Sequence, residues 1–479
     1  MSRSPRILWT ICALAASWAY AVTVSGGGVM HLGPLSVSSQ SARNPLLVAV
    51  VCGLLGWAVS LRPGATPPPR RGVRYAMALL ALVIGLNLLL QAQPSPPEGV
   101  NACLFDIPLR GGFHFFLNCD SPEFLGLAGD PSLVFTHPFR ESRPLSFVLP
   151  YLVAQPLRLL PTFELLPVNP PHQTAFIAFV VMNLVQMLVT LLCFTWAFEA
   201  GTGRRGGIEL LFSLVMLSAN DITKLFMWTP HVQIMNLTVP CVAMYVCFRL
   251  LVRGSPLTVR QAVLLGLGLG LCFMTYGAFA IPVICAAAIQ LFVYRRWLPA
   301  IGVACVALVP SLLWIAFVVA YAGVFHSHEV EVYREFVWMG DCVRAGWGAC
   351  VPMATKNLLS FFNAAAPILV IPAIGVCLSR ACREIWAPAQ TPAPPTARAL
   401  WQAAALTFVV SVLFFAAMGF YVPRLVWPLV PPLLMMIAID WQALREAQPI
   451  VGSLPARVAV AAVCIAHVLI LASRYGPYY

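Results

Sequence analysis

Charged side chains are scarce along this chain. Only 10% of its 479 residues are charged, and 17 are acidic, whereas soluble globular proteins carry roughly 25% charged residues. Hydrophobic residues make up 60% of the chain, and the mean hydropathy is +0.84. Many windows reach the roughly 20 apolar residues that a bilayer span requires, and they are spread along the whole length. This pattern excludes a soluble protein and a soluble domain with a single anchor.

Lysine is almost missing as well, since it occurs only at Lys224 and Lys356. The formal net charge of +12 therefore comes from arginine. The arginines stand singly or in pairs between apolar runs, which is typical of charges that set membrane topology and not of nucleic-acid binding. Abundant arginine beside scarce lysine favours a GC-rich bacterial genome, so we predict a bacterial inner membrane as the location.

Apolar length predicts about thirteen membrane spans. No convincing cleavage site follows the first apolar run, so we interpret it as a retained helix. The predicted spans are 7–20, 46–61, 75–91, 175–197, 210–226, 235–251, 263–276, 279–294, 301–320, 358–378, 403–420, 425–439 and 458–472. The expected fold class is an all-α integral membrane protein, a polytopic bundle forming one transmembrane domain over 1–479.

Arginine placement orients the spans. If Arg3 and Arg6 are cytoplasmic, simple alternation puts the other arginine-rich linkers on the same side. This agreement requires that 145–160, which prolines interrupt, lies in the interface and does not cross. The extracytoplasmic face then receives two long loops, 94–171 with interfacial helices and 325–356. Most of the acidic residues lie on this face.

The first outer loop carries carboxylates and arginines directly before an apolar segment. Asp120 and Glu123 lie in the motif NCDSPEF, and Arg140 and Arg143 follow shortly before the apolar run. A carboxylate at a membrane boundary can act as a general base, and arginine can hold a phosphate with two hydrogen bonds. The pattern favours chemistry on a lipid-linked phosphate. A solvated loop with local ion pairs is the alternative.

Two further outer turns hold ionisable residues between spans. Asp221 and Lys224 precede His231 and Gln233, and such residues between membrane helices are functional hypotheses by default. The spacing of Asp221 and Lys224 equally fits an ion pair along one helical face. Arg424 lies in a short apolar turn, where it either faces a partner or extends to lipid headgroups.

The second outer loop contains His326, His328, Glu329 and Glu331, which are residue types that bind divalent metals. No further ligand follows at a fixed spacing, so a solvated polar loop is the simpler interpretation. A divalent metal is the only cofactor that the sequence leaves open, and no cofactor is predicted with certainty.

Most of the 15 cysteines fall inside predicted spans, where cysteine acts as a small hydrophobic residue. Cys103 and Cys119 share the first outer loop, and Cys342 and Cys350 share the second. A pair in each loop of the oxidising face predicts one disulfide within each loop, with free thiols as the alternative. A Cys103–Cys119 bridge would hold the chain immediately before Asp120.

The motif DSPEF at 120–124, followed by Arg140 and by Arg143-Pro144-Leu145, resembles the first outer loop of GT-C superfamily glycosyltransferases. The stretch YVPRLVWPLVPP at 421–432 is similar to the same proteins, in which an arginine precedes an apolar helix with repeated proline. These enzymes include the protein mannosyltransferase-like and aminoarabinose transferase-like families, and they use polyprenyl-phosphate sugars. In this chain the loop follows the third predicted span instead of the first.

The resemblance implies transfer of a sugar from a polyprenyl phosphate, with Asp120 as the general base that deprotonates an acceptor hydroxyl. Arginines would stabilise the leaving phosphate. The residues assigned to substrate and phosphate binding are Arg140, Arg143, Arg424, Lys224, His231 and Glu123. The implied partners are the lipid donor, the bilayer and a glycan, lipid or protein acceptor, with no nucleic acid.

A transporter or lipid flippase is the competing class, because it also uses ionisable residues between helices. In transporters, however, charges often lie near the midplane, whereas here they lie at helix ends on one face. The two classes differ in a testable feature. An enzyme requires Asp120, Arg143 and Arg424 to converge on one outward cavity that opens towards lipid.

Overall fold

The computed structural model is almost entirely helical. It describes residues 3–25, 28–32, 35–39, 41–60, 73–92, 104–109, 112–136, 140–159, 170–204, 206–386 and 394–474. Within them, nine helices are long and apolar enough to cross a membrane, and five shorter helices are also apolar. The chain is therefore a helical, multi-pass membrane protein, and the number of about thirteen spans stays a prediction.

Eighteen helices follow one another in the described residues. In chain order they are α1 (Arg3–Ser25), α2 (Arg43–Ser60), α3 (Val73–Gln91), α4 (Ser121–Gly129), α5 (Leu145–Leu157), α6 (Pro170–Thr202), α7 (Ile208–Ser218), α8 (Asp221–Phe226), α9 (Met235–Arg253), α10 (Val259–Phe273), α11 (Ala280–Ala288), α12 (Trp297–Ala322), α13 (His328–Glu331), α14 (Val337–Ala345), α15 (Trp347–Trp386), α16 (Pro395–Met418), α17 (Val430–Ala447) and α18 (Leu454–Ser473). A 3₁₀ segment, Pro423–Leu429, precedes α17.

Two short antiparallel hairpins lie outside the spans, and the sequence analysis did not predict them. Their strands are β1 (Gly28–Leu32) with β2 (Leu35–Ser39), and β3 (Leu104–Leu109) with β4 (Phe113–Asn118). In β4 the side chain of Phe113 is buried, and the ring of Phe115, two residues further on, stacks on Trp228 with centroids 5.3 Å apart. Packed side chains that recur at every second residue are the signal of a half-buried strand. β4 leads directly into the site described below.

The prediction of a single span over 210–226 is wrong, because the chain breaks in the middle of it. α7 ends before Asn220, and α8 begins after it. The side chain of Asn220 accepts the backbone N–H of Thr223, and the hydroxyl of Thr223 accepts that of Asn220. This reciprocal capping starts a new helix inside an otherwise continuous apolar run.

Two apolar cores hold the bundle together. The larger lies among α6, α9, α11, α16 and α17, and the smaller joins α1, α2 and α3 to α7 and α18. α9 and α17 are the most enclosed spans, whereas α12 and α15 present exposed apolar side chains such as Leu313 and Ile371. Apolar side chains on the outside of a spanning helix are solvated by lipid, so this surface fits a bilayer.

Buried ion pairs join the helices at the end of the bundle that is predicted to be cytoplasmic. Asp440 on α17 accepts a hydrogen bond from Arg383 of α15 at 2.5 Å, and Glu209 on α7 accepts one from Arg445 at 3.0 Å. Both carboxylate side chains are fully buried. Because a buried charge without a partner is strongly destabilising, these pairs fix α7, α15 and α17 relative to one another.

We expect Asp440→Ala to lower the free energy of unfolding by roughly 3–5 kcal/mol, because Arg383 would keep its charge without its partner. Thermal unfolding of the detergent-solubilised protein measures the change. Glu446→Ala is the control, since Glu446 pairs with Arg204 at 3.3 Å but its side chain is 48% exposed. An exposed pair contributes below about 1 kcal/mol. Equal unfolding temperatures for the two variants would contradict the role given to Asp440.

Candidate active site

One cavity of about 390 Å³ lies at the end of α17 that is remote from Asp440. Its walls come from the two long outer loops, the turn between α10 and α11, and the segment before α17. Five of the residues predicted for the site line this cavity, and they are Asp120, Arg140, Arg143, His231 and Arg424. Asp120, Arg143 and Arg424, which an enzyme would have to bring together, therefore line one cavity.

Local structure positions Asp120 between β4 and α4. Its amide donates to Oδ1 of Asn118 at 3.0 Å, and the amide of Asn118 donates to the hydroxyl of Ser121 at 3.0 Å. Cys119 is disulfide-bonded, and Cys103 lies outside the described residues. The backbone directly before Asp120 is thus held by hydrogen bonds and by a covalent bond.

The Asp120 carboxylate is held through one of its oxygens. Oδ2 lies 3.4 Å from Nε2 of His231 and 3.3 Å from Nη2 of Arg140. Within the described residues Oδ1 makes no hydrogen bond, and the side chain is 21% exposed. The hydrogen bond from His231, together with the charges of Arg140 and Arg424, lowers the pKa of Asp120 to about 2. Asp120 therefore presents an ionised oxygen that a ligand can reach.

His231 is a neutral hydrogen-bond donor to this carboxylate. Its Nδ1 accepts the backbone N–H of Val232 at 2.9 Å, so the ring proton is on Nε2, which faces Asp120. The ring lies between Phe124 and Phe226, with centroids 5.0 and 4.8 Å away. Burial lowers the pKa of His231 to about 4. Because Nδ1 accepts this amide and Nε2 carries the proton, His231 faces the carboxylate as a hydrogen-bond donor.

Arg140 and Arg143 each face a carboxylate. Arg140 pairs with Asp120, while Nε of Arg143 lies 3.2 Å from Oε1 of Glu329 in the second outer loop. Ser142 donates its hydroxyl to Oε2 of Glu329 at 2.5 Å. Burial raises the pKa of Glu329, but Arg143 and Ser142 outweigh this effect and leave the pKa below its usual range. An ionised Glu329 therefore joins the two outer loops at the cavity.

Arg424 differs from the other two arginines of the cavity. Its backbone carbonyl accepts a hydrogen bond from the side-chain amide of Asn236 at 2.8 Å, and Asn236 accepts the hydroxyl of Tyr276 at 2.6 Å. These contacts fix the main chain. In the part of the chain that the structure describes, the guanidinium of Arg424 makes no ion pair and no hydrogen bond. Arg424 is therefore open to an added anion.

Lys224 and Glu123 lie outside the described lining of the cavity. Nζ of Lys224 donates to the carbonyls of Leu471 and Arg474 at 2.6 and 2.5 Å, at the C-terminus of α18. A cation is favoured there, since the last carbonyls of a helix lack partners. Glu123 lies in the first turn of α4, where burial raises its pKa and Arg140 opposes the rise. The structure thus does not bring Lys224 to the other predicted cations.

The sequence left open a metal site at the histidines and glutamates of the second outer loop. In the structure these side chains contact other residues. Nδ1 of His326 lies 3.2 Å from Glu331, while Glu329 is engaged by the first loop. Among the described residues, no three His, Cys, Asp or Glu side chains form a group that could hold a metal ion. In the same loop, Cys342 and Cys350 form a disulfide.

Sequence reasoning gave no role to Tyr276, Tyr333 and Glu335, which also line the cavity. The guanidinium carbon of Arg143 lies 5.4 Å from the centroid of the Tyr276 ring. Burial raises the pKa of Tyr276 to about 12, so its hydroxyl keeps its proton. No local motif marks these residues. The only available signal was the scarcity of acidic residues, which makes every outer-loop carboxylate a candidate.

No protein-family model, no curated protein and no solved structure matches this chain. The resemblance to GT-C glycosyltransferases rests on the motifs quoted above. The assignment of a function therefore depends on the chemistry that the cavity can support.

Proposed function

We propose that this protein is a membrane glycosyltransferase that moves a hexose or pentose from a polyprenyl phosphate to an acceptor hydroxyl. The observation that carries the proposal is the convergence of Asp120, Arg140, Arg143 and Arg424 on one cavity. A scaffold protein has no need to gather a carboxylate and three cations in a chain so poor in charge. We place the reaction on the extracytoplasmic face of a bacterial inner membrane, as arginine placement predicts.

The lining of the cavity supports an amphiphilic donor. The lining also includes apolar side chains from α10, α12 and α16, namely Phe273, Trp314, Ile315, Phe414 and Met418. These three helices are themselves apolar enough to lie in a bilayer. A lipid-linked sugar likewise combines polar and apolar parts, namely a sugar, a single phosphate anion and a hydrocarbon tail. The apolar walls would accept the first isoprene units as the lipid enters from the membrane.

The available charges favour one arginine as the phosphate ligand. Arg140 and Arg143 already face Asp120 and Glu329, so their charges are largely balanced. Arg424 has no such partner among the described residues, and its charge influences Asp120. A phosphodiester carries one negative charge and fits a guanidinium fork. We therefore assign the phosphate to Arg424, with Arg143 as the second contact.

Asp120 acts as the general base in this proposal. The acceptor oxygen attacks the anomeric carbon, the bond from that carbon to the phosphate oxygen breaks, and the hydroxyl proton passes to Oδ1 of Asp120. A carboxylate of low pKa is a weak base, but the hydroxyl becomes strongly acidic once its oxygen has begun to bond to carbon. Arg424 stabilises the negative charge that develops on the phosphate. His231 and Arg140 keep the carboxylate oriented.

Purified protein in proteoliposomes provides the test. A panel of hexosyl and pentosyl polyprenyl phosphates is offered together with a bacterial envelope fraction as the source of acceptors. A transferase releases polyprenyl phosphate and labels the envelope fraction. A flippase would move the intact donor across the bilayer without releasing polyprenyl phosphate, and this result would replace the proposed function with the competing one.

A further inference from the structure

Glu335 is a third carboxyl group in the cavity, beside Asp120 and Glu329, and the mechanism above does not use it. It lies in the second outer loop between α13 and α14 and is half-buried. Glu329, in the same loop, is bound by Arg143 and Ser142. The carboxyl of Glu335 makes no hydrogen bond or ion pair with any residue that the structure describes.

The backbone on both sides of Glu335 is strained. Arg334 and Phe336 have φ angles of +52° and +61°, and neither is glycine. This left-handed region is unfavourable for a residue with a side chain, and such strain clusters at functional sites. The two residues that flank Glu335 are therefore both in the left-handed conformation.

Strong contacts keep this strained segment in place. The amide of Phe336 donates to the carbonyl of Met418 at 2.8 Å, and the indole N–H of Trp338 donates to Ala417 at 2.8 Å. The amide of Glu335 itself donates to the carbonyl of Glu329 at 3.0 Å. The loop is thus fixed to the end of α16, and Glu335 is held at the cavity wall.

One group beside Glu335, Arg143, also belongs to the proposed phosphate site. Arg143 faces Glu335 from the first outer loop, Glu329 from its own loop, and Tyr276 from the turn between α10 and α11. Tyr276 is in turn influenced by Arg424. Burial, together with the neighbouring charge of Glu329, raises the pKa of Glu335 to about 7, although Arg143 opposes the rise. A carboxyl in this place holds its proton far more readily than Asp120.

A bound phosphate would strengthen this tendency. An ionised Glu335 would repel a phosphodiester that also lies near the ionised Glu329, whereas a protonated carboxyl can donate a hydrogen bond to it. The anionic donor and the proton on Glu335 therefore favour each other. The cavity thus contains Asp120, which stays ionised, and Glu335, which carries a proton, and this is the usual division between a base and an acid. Glu329, the other carboxyl of the lining, is bound by Arg143 and Ser142.

We propose that Glu335 is the general acid of the transfer and protonates the departing phosphate. The proposal rests on the proposed glycosyltransferase function. As the bond between the anomeric carbon and the phosphate oxygen breaks, the electron pair stays on that oxygen and the proton of Glu335 moves to it. The acceptor proton passes to Asp120 in the same step. Afterwards Asp120 loses its proton to water and Glu335 regains one.

The test is Glu335→Gln, assayed by release of polyprenyl phosphate from the donor panel. The introduced glutamine is neutral and of the same size, so donor KM should change little while kcat falls by about 10²-fold. This value lies at the lower end for a general acid because phosphate is already a good leaving group. Glu331→Gln is the matched control, since Glu331 lies in the same loop, is 54% exposed and does not line the described cavity.

The pH profile separates an acid from a residue that only has to be neutral. The wild-type kcat/KM should fall as the pH rises through about 7, because Glu335 must be protonated to act. Glu335→Gln should be slow and should lack this decline. Glu335→Asp keeps a carboxyl and should keep the decline at a reduced rate.

Three results would overturn the assignment. Glu335→Gln could match the wild-type rate at low pH, which would leave only an electrostatic role. The decline could persist in Glu335→Gln or vanish in Glu335→Asp, which would assign it to another group. If wild-type protein releases polyprenyl phosphate from no donor of the panel, the glycosyltransferase function itself fails and the general acid with it. In the first two cases wild-type transfer continues, so only the role of Glu335 is lost.

Discussion

Replacing Asp120 with asparagine should lower the rate of sugar transfer by roughly 10²–10⁴-fold, which is the usual contribution of a positioned base. Asparagine has the same size, and its amide oxygen can accept the hydrogen bond from His231. It cannot take up the proton of the acceptor hydroxyl. The loss should fall mainly on kcat, because the proposed phosphate contacts come from Arg424 and Arg143. Steady-state release of polyprenyl phosphate gives both kcat and KM.

Asp130→Asn is the matched control for this variant. Asp130 follows α4 in the same outer loop, and its Oδ1 accepts the amide and the hydroxyl of Ser132 at 3.0 and 2.7 Å. Asparagine is an equally good cap, so the control should stay folded and transfer sugar at the wild-type rate. A folded Asp120→Asn protein that also transfers at the wild-type rate would remove Asp120 from the mechanism.

The depressed pKa of Asp120 has consequences for the dependence on pH. The pKa falls from an ordinary value of 3.8 to about 2. A base must be ionised, so Asp120 stays competent until the pH approaches its folded pKa. The stability of the fold depends on pH in the same direction. Ionised Asp120 stabilises the fold above its ordinary pKa, and this stabilisation is lost as the pH falls towards about 2. We therefore expect that the titration of Asp120 causes no loss of transfer rate near neutral pH.

Much of this site could be predicted from the sequence because charge is so rare in the chain. Asp120, Arg143 and Arg424 stand out as charged residues at the ends of apolar runs. The bilayer forces alternate linkers to opposite faces, so a count of spans places distant linkers on the same side. The three residues were expected to share one face for this reason, and they line one cavity.

The pairing within the site could not be predicted in the same way. Ser142 and Glu329 form a hydrogen bond although 187 residues separate them, and no local pattern encodes such a contact. For Lys224 the sequence predicted a role that the structure does not support. It has the charge expected of a phosphate ligand, but the packing of α8 beside the end of α18 brings its ammonium to two backbone carbonyls. Only tertiary packing decides between these environments.

The fold also has features that the sequence predicts and features that it does not. Spanning helices are predictable because hydrocarbon thickness imposes a minimum apolar length. The break at Asn220 depends on one capping side chain, and the hairpin of β3 and β4 depends on a few alternating residues. These short signals are hard to detect in a chain that is apolar almost everywhere. Yet both features position the candidate site, because β4 leads to Asp120 and α8 leads to the turn with His231.

Neutralising Arg424 should lower kcat/KM for the donor by about 10²–10³-fold, which is the typical loss when one preorganised group that stabilises developing charge is removed. Arg424→Gln removes the only guanidinium of the described cavity lining that no carboxylate balances. Donor KM should rise together with the fall in kcat, because the phosphate is bound before the reaction and gains charge during it. Arg424→Lys keeps the charge but not the planar fork, so it should recover part of the loss.

Arg344→Gln is the control for charge alone. Arg344 belongs to the second outer loop, its side chain is 84% exposed, and it lies 3.7 Å from Asp341. Its loss changes the net charge of the outer face by the same amount, so it should leave donor KM unchanged. If both variants weaken transfer equally, the effect of Arg424 is only long-range attraction of an anionic lipid. If Arg424→Gln alone is impaired and Arg424→Lys recovers part of the rate, the guanidinium must contact the phosphate in the cavity beside Asp120.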